Sequence, residues 1–409
     1  MPQAITIVYL AYMFISLYFL LFFALIFIQN RKEMFFVPKI IKKYSVSILI
    51  PAYNEQDSLE GTVKTVLGSD YGNILEVIII NDGSTDNTLK IARELERRYS
   101  KVKIFDKKNS GKADSLNQAL KIAKGELVAI IDADSYPDRH ALSSMIGFFE
   151  DEKVGAVTTR ILVKQRDSFL RKMQAIEYKV IAFTRKLLGF IDSIYVTPGP
   201  LALYRKDILI KIGGFDKKNM TEDIEAAWRM LSRGYKIKMS YVAKVTTVAP
   251  NTVRKWLTQR IRWNIGGYQT ILKYKHRFFK KGMIGLFILP FFSLSLILGV
   301  FGLGIFCYRI FRRILFSYLS TKYSLAAQTA VLTFNEINLN PSVLNFLGVI
   351  LFVLGLWFIF FALKNINGQT KEKESFFSVI FYSIVYILLR PIVLIYSLGK
   401  FLTGNYSWR

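Results

Sequence analysis

Glu126-Leu-Val-Ala-Ile-Ile-Asp-Ala-Asp-Ser-Tyr-Pro-Asp138 is the stretch on which the fold turns. Leu127–Ile131 is a short apolar, partly β-branched run and reads as a buried strand. It ends in two carboxylates, Asp132 and Asp134, one residue apart, and Pro137 stops any continuation. In an open α/β sheet, ligands bind beyond the carboxyl ends of the strands. Two acids placed there can hold a hard divalent cation such as Mg²⁺ or Mn²⁺, which would bridge phosphate oxygens. The plainer reading is a solvated turn that caps the next helix. The neighbouring sequence weighs against it.

Upstream, Ser45–Ile50 reads as a strand with Pro51-Ala52-Tyr53-Asn54-Glu55 at its carboxyl end, and Ser58–Leu67 as a helix. Glu76–Ile80 is a second strand, ending at Asn81-Asp82-Gly83. Ser84 or Thr85 is expected to cap the helix that follows, which runs to about Tyr99. Val102–Phe105 is a third strand, and Gly111-Lys112-Ala113 opens a helix through Ala123. Strands alternating with helices predict right-handed βαβ units and a parallel sheet, hence an α/β, Rossmann-type domain. Three strand ends then present acids: Glu55, Asp82, and Asp132 with Asp134. With Lys112 at a helix start, where the N-terminus also favours phosphate, they suggest a nucleoside-diphosphate site with its metal. The first strand is followed by no Gly-x-Gly-x-x-Gly loop, which disfavours a dinucleotide fold.

Downstream, Ala156–Val163 reads as a strand and Phe169–Gly189 as a helix. Its apolar residues Phe169, Met173, Ile176, Val180, Phe183 and Leu187 recur at helical spacing, which predicts packing rather than ligand contact. Pro198-Gly199-Pro200 forms a rigid turn before Leu201–Tyr204. Thr221-Glu222-Asp223 starts another helix, with Thr221 as a candidate N-cap and the acids favoured by the helix dipole. From Asn251 to Lys275 the pattern is again helical. Val253, Leu257, Ile261, Ile265, Tyr268 and Leu272 share one stripe, while Gln259, Arg262 and Trp263 share the opposite face. This predicts an interfacial helix with its apolar side on the bilayer and Gln259, Arg262 and Trp263 turned into the site.

The 409-residue chain is 52% hydrophobic, yet carries a formal charge of +26; its mean hydropathy is +0.29. That pairing points to an integral membrane protein with a basic face on anionic lipid. The basic residues flank apolar spans and no nucleic-acid module is present, so nucleic acid is not an expected partner. The single cysteine, Cys307, excludes an intrachain disulfide. Ile5–Ile28 is uncharged and long enough to span, too long for a signal-peptide core, and followed by Arg31, Lys32, Lys39, Lys42 and Lys43. Basic residues favour the cytoplasmic side, which places residues 30–282 inside the cell. Met283–Tyr308, Val343–Leu363 and Phe376–Leu398 read as three further spans, the last interrupted by Arg390-Pro391. Alternation then puts a loop at 309–342 outside, despite Arg309, Arg312, Arg313 and Lys322, against Lys364, Lys371 and Lys373 in the loop inside; the alternatives are that part of 309–342 is an interfacial helix or that one C-terminal span is re-entrant. Arg390 within a span is a candidate for a polar pathway.

Together these pieces resemble the membrane-bound, inverting family 2 glycosyltransferases, which include cellulose, hyaluronan, chitin and poly-N-acetylglucosamine synthases. The resemblance rests on Pro51–Glu55, Asp82, Gly111-Lys112-Ala113, Asp132-Ala-Asp134, Thr221-Glu222-Asp223 and Gln259-Arg-Ile-Arg-Trp263, in family order from residue 45 to about 275. It implies a GT-A-like domain inserted between transmembrane helices: a first helix at 1–29, a cytoplasmic catalytic domain at 30–250, interface helices at 251–282, and a membrane region at 283–409. It also implies roles. Pro51, Ala52, Tyr53, Glu55 and Asp82 would hold the nucleoside, Lys112, Gln259 and Arg262 the diphosphate side of a UDP-sugar. Asp132 and Asp134 would take Mg²⁺ or Mn²⁺, with Asp132 also on the donor. Asp223, beside Glu222, would be the general base, and Gly199 and Trp263 would meet the acceptor. The acceptor would be a growing polysaccharide pushed out through the spans of a plasma-membrane protein, with room for an accessory subunit. Two rival readings are a non-processive transferase acting on a membrane lipid and an inactive membrane scaffold whose acids are only caps.

Overall fold

The computed structural model describes residues 3–327, 343–367 and 374–406. The first helix, α1 (Gln3–Asn30), is apolar on all sides. Then come strands and helices in alternation: β1 (Val46–Ala52), α2 (Leu59–Leu67), β2 (Ile74–Asp82), α3 (Thr88–Arg98), β3 (Val102–Lys107), α4 (Lys112–Ile122) and β4 (Leu127–Ile130). The second half of the domain comprises β5 (Ser135–Pro137), α5 (Ser143–Ile146), β6 (Val154–Val163), α6 (Phe169–Phe190), β7 (Ala202–Arg205), α7 (Lys206–Lys211), α8 (Glu222–Ser232) and β8 (Lys236–Thr247). It is followed by α9 (Val253–Tyr274), α10 (Leu289–Ala326), α11 (Val343–Asn367) and α12 (Phe376–Thr403).

All eight strands form one sheet in the order β3-β2-β1-β4-β7-β6-β8-β5. The expected parallel βαβ half is present: β1 pairs in parallel with both β2 and β4, and β2 with β3. The chain reverses direction of travel across the sheet between β1 and β4, which opens a crevice at their carboxyl ends. The other half is mixed rather than parallel. β7 runs antiparallel to β4 and β6, while β6 and β8 are parallel and β5 is antiparallel to β8. The strands of the parallel half are near-continuous runs of buried Val, Ile and Leu, as a sheet covered on both faces requires.

Some elements differ from the expectation. Neither Ser84 nor Thr85 caps α3. The helix begins at Thr88, the Ser84 hydroxyl accepts from the Asn54 N–H at 3.1 Å, and the Thr85 N–H donates to Asn54 Oδ1 at 2.8 Å. Those residues brace the loop after β1 instead. Thr221 precedes α8 but its hydroxyl donates to Asn219 Oδ1 at 3.2 Å and caps nothing. β4 ends at Ile130, and Pro137 is the last residue of the short edge strand β5. Pro137 pairs with Val245 at the sheet edge, a position where a missing N–H costs no ladder bond.

Among the described residues, four helices are long and apolar enough to cross a membrane: Thr6–Glu33, Ile284–Ala326, Phe346–Asn365 and Phe376–Thr403. The second is longer than the expected span. Its helix runs through Arg309, Arg312, Arg313 and Lys322, so the first part of 309–342 is helix and not loop, continuous with the span rather than a separate interfacial helix; its 43 residues extend roughly 65 Å, twice a hydrocarbon core of about 30 Å. Arginine is a good helix former, so charge marks where lipid ends and not where the helix does. Phe376–Thr403 is likewise continuous through Arg390-Pro391, with Arg390 exposed. Lys371, Lys373 and residues 328–342 lie outside the described residues.

Helix α6 joins the two parts of the molecule. Its predicted stripe is buried at Met173, Ile176, Phe183 and Leu187, while Phe169 at its start is exposed. Phe183 meets Phe27 of α1 and Phe361 of α11, and Met173 and Ile176 pack with Leu363, Val379 and Tyr382. The catalytic-type sheet is thus seated on the spans by aromatic and aliphatic side chains.

Candidate functional site

The site forms where the carboxyl ends of β1, β2 and β4 meet the starts of α4 and α8. Lys112, the first residue of α4, places its Nζ 2.5 Å from Asp132 Oδ1 and 3.3 Å from Glu222 Oε1. Burial works against its charge, but Asp132, Glu222 and Asp223 outweigh it and hold the ammonium above its usual range. Gly199 closes this cluster from behind. Its carbonyl accepts from the Asp132 N–H at 3.0 Å. A Cβ there would stand 2.5 Å from both Asp132 Oδ2 and Lys112 Nζ, so the turn at 198–200 needs glycine to let the backbone approach.

The acids around this cation are crowded. Burial and the charge of Asp132 push the Asp134 carboxyl up, against hydrogen bonds to Asp134 Oδ1 from Ser135 at 3.0 Å and Thr247 at 3.2 Å. Burial, with Asp134 and Asp132 nearby, raises Glu55 to about 7 despite a 2.6 Å hydrogen bond from Ser58. Asp223 is raised to about 7 by burial and by Glu222, with Lys112 and Arg262 pulling the other way. A carboxyl raised to about 7, as Asp223 is, suits a general base near neutral pH, and acids crowded together suit a cation between them. The oxygen donors of Asp132 and Asp134 suit a hard divalent cation. Among the described residues no group of three or more His, Cys, Asp or Glu is arranged to hold a metal, so the chain would supply two carboxylates and leave the remaining positions to phosphate and water.

The crevice beyond β2 is partly occupied by the chain itself. Asp82 accepts from Lys107 Nζ at 2.6 Å and from the Ser110 and Gly111 N–H groups at 2.9 Å each. Burial alone would raise its carboxyl, but Lys107 and the Ser110 N–H outweigh it and hold it low. Asp82 therefore fixes the loop that delivers Lys112. Pro51 and Ala52 end β1, and Tyr53 beyond them is 44% exposed at the crevice mouth.

Helix α9 carries Gln259, Arg262 and Trp263. Thr252 caps it, accepting from the Lys255 N–H at 3.3 Å. Gly266 lets it approach α8, since any Cβ there would collide with Thr221 Oγ1. Buried Glu225 of α8 bonds Lys273 at 2.7 Å and Tyr274 at 3.0 Å, which locks the two helices together. Arg262 is exposed, within electrostatic reach of Asp223, and the Gln259 Oε1 is buried without a hydrogen-bond partner. The apolar stripe does not simply face lipid. Ile265 and Tyr268 are buried, and the Tyr268 hydroxyl donates to the Leu394 carbonyl of α12 at 2.9 Å, while Val253 and Leu272 remain exposed.

Sequence reading missed Arg260. Its guanidinium lies 4.2 Å from the centroid of the Trp263 ring and pairs with Glu177 of α6, which also accepts from the Tyr386 hydroxyl of α12 at 2.7 Å. Three helices far apart in sequence thus hold the Trp263 ring. No local pattern in α6 or α9 marks such a contact.

Residues 47–213 match the model of the family described as Glycosyl transferase family 2. The poly-β-1,6-N-acetyl-D-glucosamine synthase of Staphylococcus epidermidis is 30% identical over 373 residues, covering 88% of this chain and 85% of that protein. The chain belongs to the membrane-bound family 2 glycosyltransferases. The same-named synthase of Staphylococcus aureus strain MSSA476 is 33% identical over 258 residues, 63% of this chain; the chain spans 62% of that relative's length. The transferase also shares its fold with a mannosyltransferase from Pyrobaculum calidifontis solved with GDP-mannose and Mn²⁺, at a TM-score of 0.58 and 18% identity over 97% of this chain and 99% of that one. The GT-A-like domain flanked by helices long and apolar enough to cross a membrane is therefore established.

Proposed function

We propose that this transferase moves N-acetylglucosamine from a UDP-sugar to the end of a growing polysaccharide, with inversion and with a divalent cation. The observation that carries the reading is the cluster in which Lys112 bridges Asp132 and Glu222 while Asp223, raised to about 7, stands beside them. The sugar follows from the relatives, which are named as poly-β-1,6-N-acetylglucosamine synthases.

The chain's own groups supply the steps. Asp223 accepts the proton of the acceptor hydroxyl as that oxygen attacks the anomeric carbon. The bond to the diphosphate breaks on the opposite face, the electron pair leaves with UDP, and the configuration inverts. Lys112 and Arg262 provide positive charge for the departing diphosphate. Asp132 and Asp134 would hold Mg²⁺ or Mn²⁺, which would supply further positive charge for the leaving phosphates. Glu222 keeps Lys112 in place and raises Asp223 by repulsion. Trp263, with Gly199 at the turn, forms the acceptor platform, and Tyr53 and Gln259 flank the donor.

The reading places residues 30–282 in the cytoplasm, where sugar nucleotides are found, and the product exits across the plasma membrane along the spans; an accessory subunit and bound lipids are compatible with it. The experiment is UDP release by purified protein from a panel of UDP-sugars. Release with UDP-N-acetylglucosamine, lost in Asp223→Asn, supports the reading. Turnover only with another donor, or undiminished in Asp223→Asn, overturns it.

A further inference from the structure

Arg185 is a buried cation to which the mechanism above gives no task. It stands on α6, 6% exposed, with its Nε enclosed and without a hydrogen-bond partner. Among the described residues its guanidinium has no hydrogen bond and no ion pair. Three other buried basic residues each have at least one hydrogen-bond or ion-pair partner. Lys179 pairs with Glu374 at 2.9 Å, Lys186 donates to the Met239 carbonyl at 3.2 Å, and Arg260 pairs with Glu177. A guanidinium keeps its proton and offers five donors and no acceptor, so an unpaired one in this setting costs stability. A position kept at such a cost suits a ligand that completes it.

Its place on the helix says which ligand. Tyr178 lies seven residues earlier, two turns of helix and about 10 Å away, on the same face. The Tyr178 end is within electrostatic reach of Asp134 and Arg260; the Arg185 end is within reach of Asp223 and Tyr195. This face of α6 therefore lies within electrostatic reach of both the metal-side acid and the base that the acceptor hydroxyl must meet. The diphosphate already has its cations in Lys112 and Arg262. What remains for Arg185 is the acceptor. A planar donor fork is best met by an oxygen that carries lone pairs and no proton, and on a neutral N-acetylated sugar that oxygen is the acetamido carbonyl.

We propose that Arg185 binds the N-acetyl carbonyl of the acceptor's terminal sugar and so selects an N-acetylated chain end; this rests on the function proposed above. The test uses full-length protein in lipid nanodiscs with UDP-N-acetylglucosamine as donor. Acceptors are short oligosaccharides ending either in N-acetylglucosamine or in glucose. Wild type should prefer the N-acetylated end by about 10- to 100-fold in kcat/KM, the worth of a charge-assisted hydrogen bond. Arg185→Met should cut that preference to about threefold or less by raising the acceptor KM, with the donor KM little changed, and Arg185→Lys should restore part of it. The melting temperature of Arg185→Met should equal or exceed that of wild type, because an unpaired buried charge is gone; a structural role predicts a fall. An unchanged preference in Arg185→Met, or equal losses on both acceptors with a lowered melting temperature, overturns the assignment. Wild type that transfers N-acetylglucosamine to neither acceptor and makes no polymer overturns the underlying reading, and the assignment with it.

Discussion

Replacing Gly199 by alanine probes the site through its tightest contact. The added methyl would lie 2.5 Å from Asp132 Oδ2 and Lys112 Nζ and 2.6 Å from Asp132 Oδ1. Ordinary contact begins near 3.4 Å, so the carboxylate must retreat by about 0.9 Å. Lys112 can swing, but Asp132 is short and its N–H is tied to the Gly199 carbonyl at 3.0 Å. A misplacement of about 1 Å at a reacting centre costs about 100-fold in rate, or about 2.7 kcal/mol of transition-state stabilisation. The backbone at Gly199 has no positive φ, so the fold itself tolerates alanine with about 1–3 kcal/mol of overpacking. The expectation is a drop in UDP release of about two orders of magnitude with the protein still folded by near-ultraviolet circular dichroism. Gly199→Ala with wild-type UDP release would refute the argument, because the Lys112–Asp132 pair could then move freely without affecting the reaction.

Five further outcomes are expected. Asp223→Asn should slow transfer by about 10²–10⁴ and remove the rise in rate as pH passes upward through about 7; a variant that keeps that rise places the base elsewhere. The folded-state pKa of Asp223 lies above its ordinary value of 3.8, so the native state holds more protons between the two and stability falls as pH rises from about 4 to about 7; Asp223→Asn should therefore melt higher than wild type at pH 8 and alike at pH 4, checked by thermal scans. Chelation with EDTA should abolish transfer and added Mn²⁺ or Mg²⁺ should restore it, whereas turnover in chelator would remove the metal from the account. Trp263→Ala should spare donor binding in calorimetry but impair elongation more than donor hydrolysis; lost donor affinity would mean that this face of α9 reads the nucleotide. On a Cys307→Ser background, a cysteine introduced at exposed Lys90 should react in intact cells only after permeabilisation, and labelling without it would invert the topology.

Much of the catalytic half was legible because its signals are local. The apolar run at Leu127–Ile131 and its terminal acids gave β4 and the crevice, and helical spacing gave α6 and α9 to within a residue or two. The acids and Lys112 converge as expected because strand ends and helix starts in βαβ units share one edge. What was missed depends on distant partners. β8 carries period-two alternation from Ile237 through Val245, but Lys236, Lys238 and Lys244 mask it as a basic loop. The turn residues Ser84 and Thr85 favour capping by type, yet the nearby Asn54 competes for both and wins. The pairing of Arg260 with Glu177 and the isolation of Arg185 are properties of packing, which no window of sequence contains.

The central claim is that the chain polymerises a sugar, and the size of its product tests this most directly. Purified protein in nanodiscs should be given UDP-N-acetylglucosamine and Mn²⁺ and the product analysed by mass spectrometry. The account predicts a ladder of many N-acetylhexosamine increments in the wild type and none in Asp223→Asn. A product with a single sugar joined to a membrane lipid would contradict it.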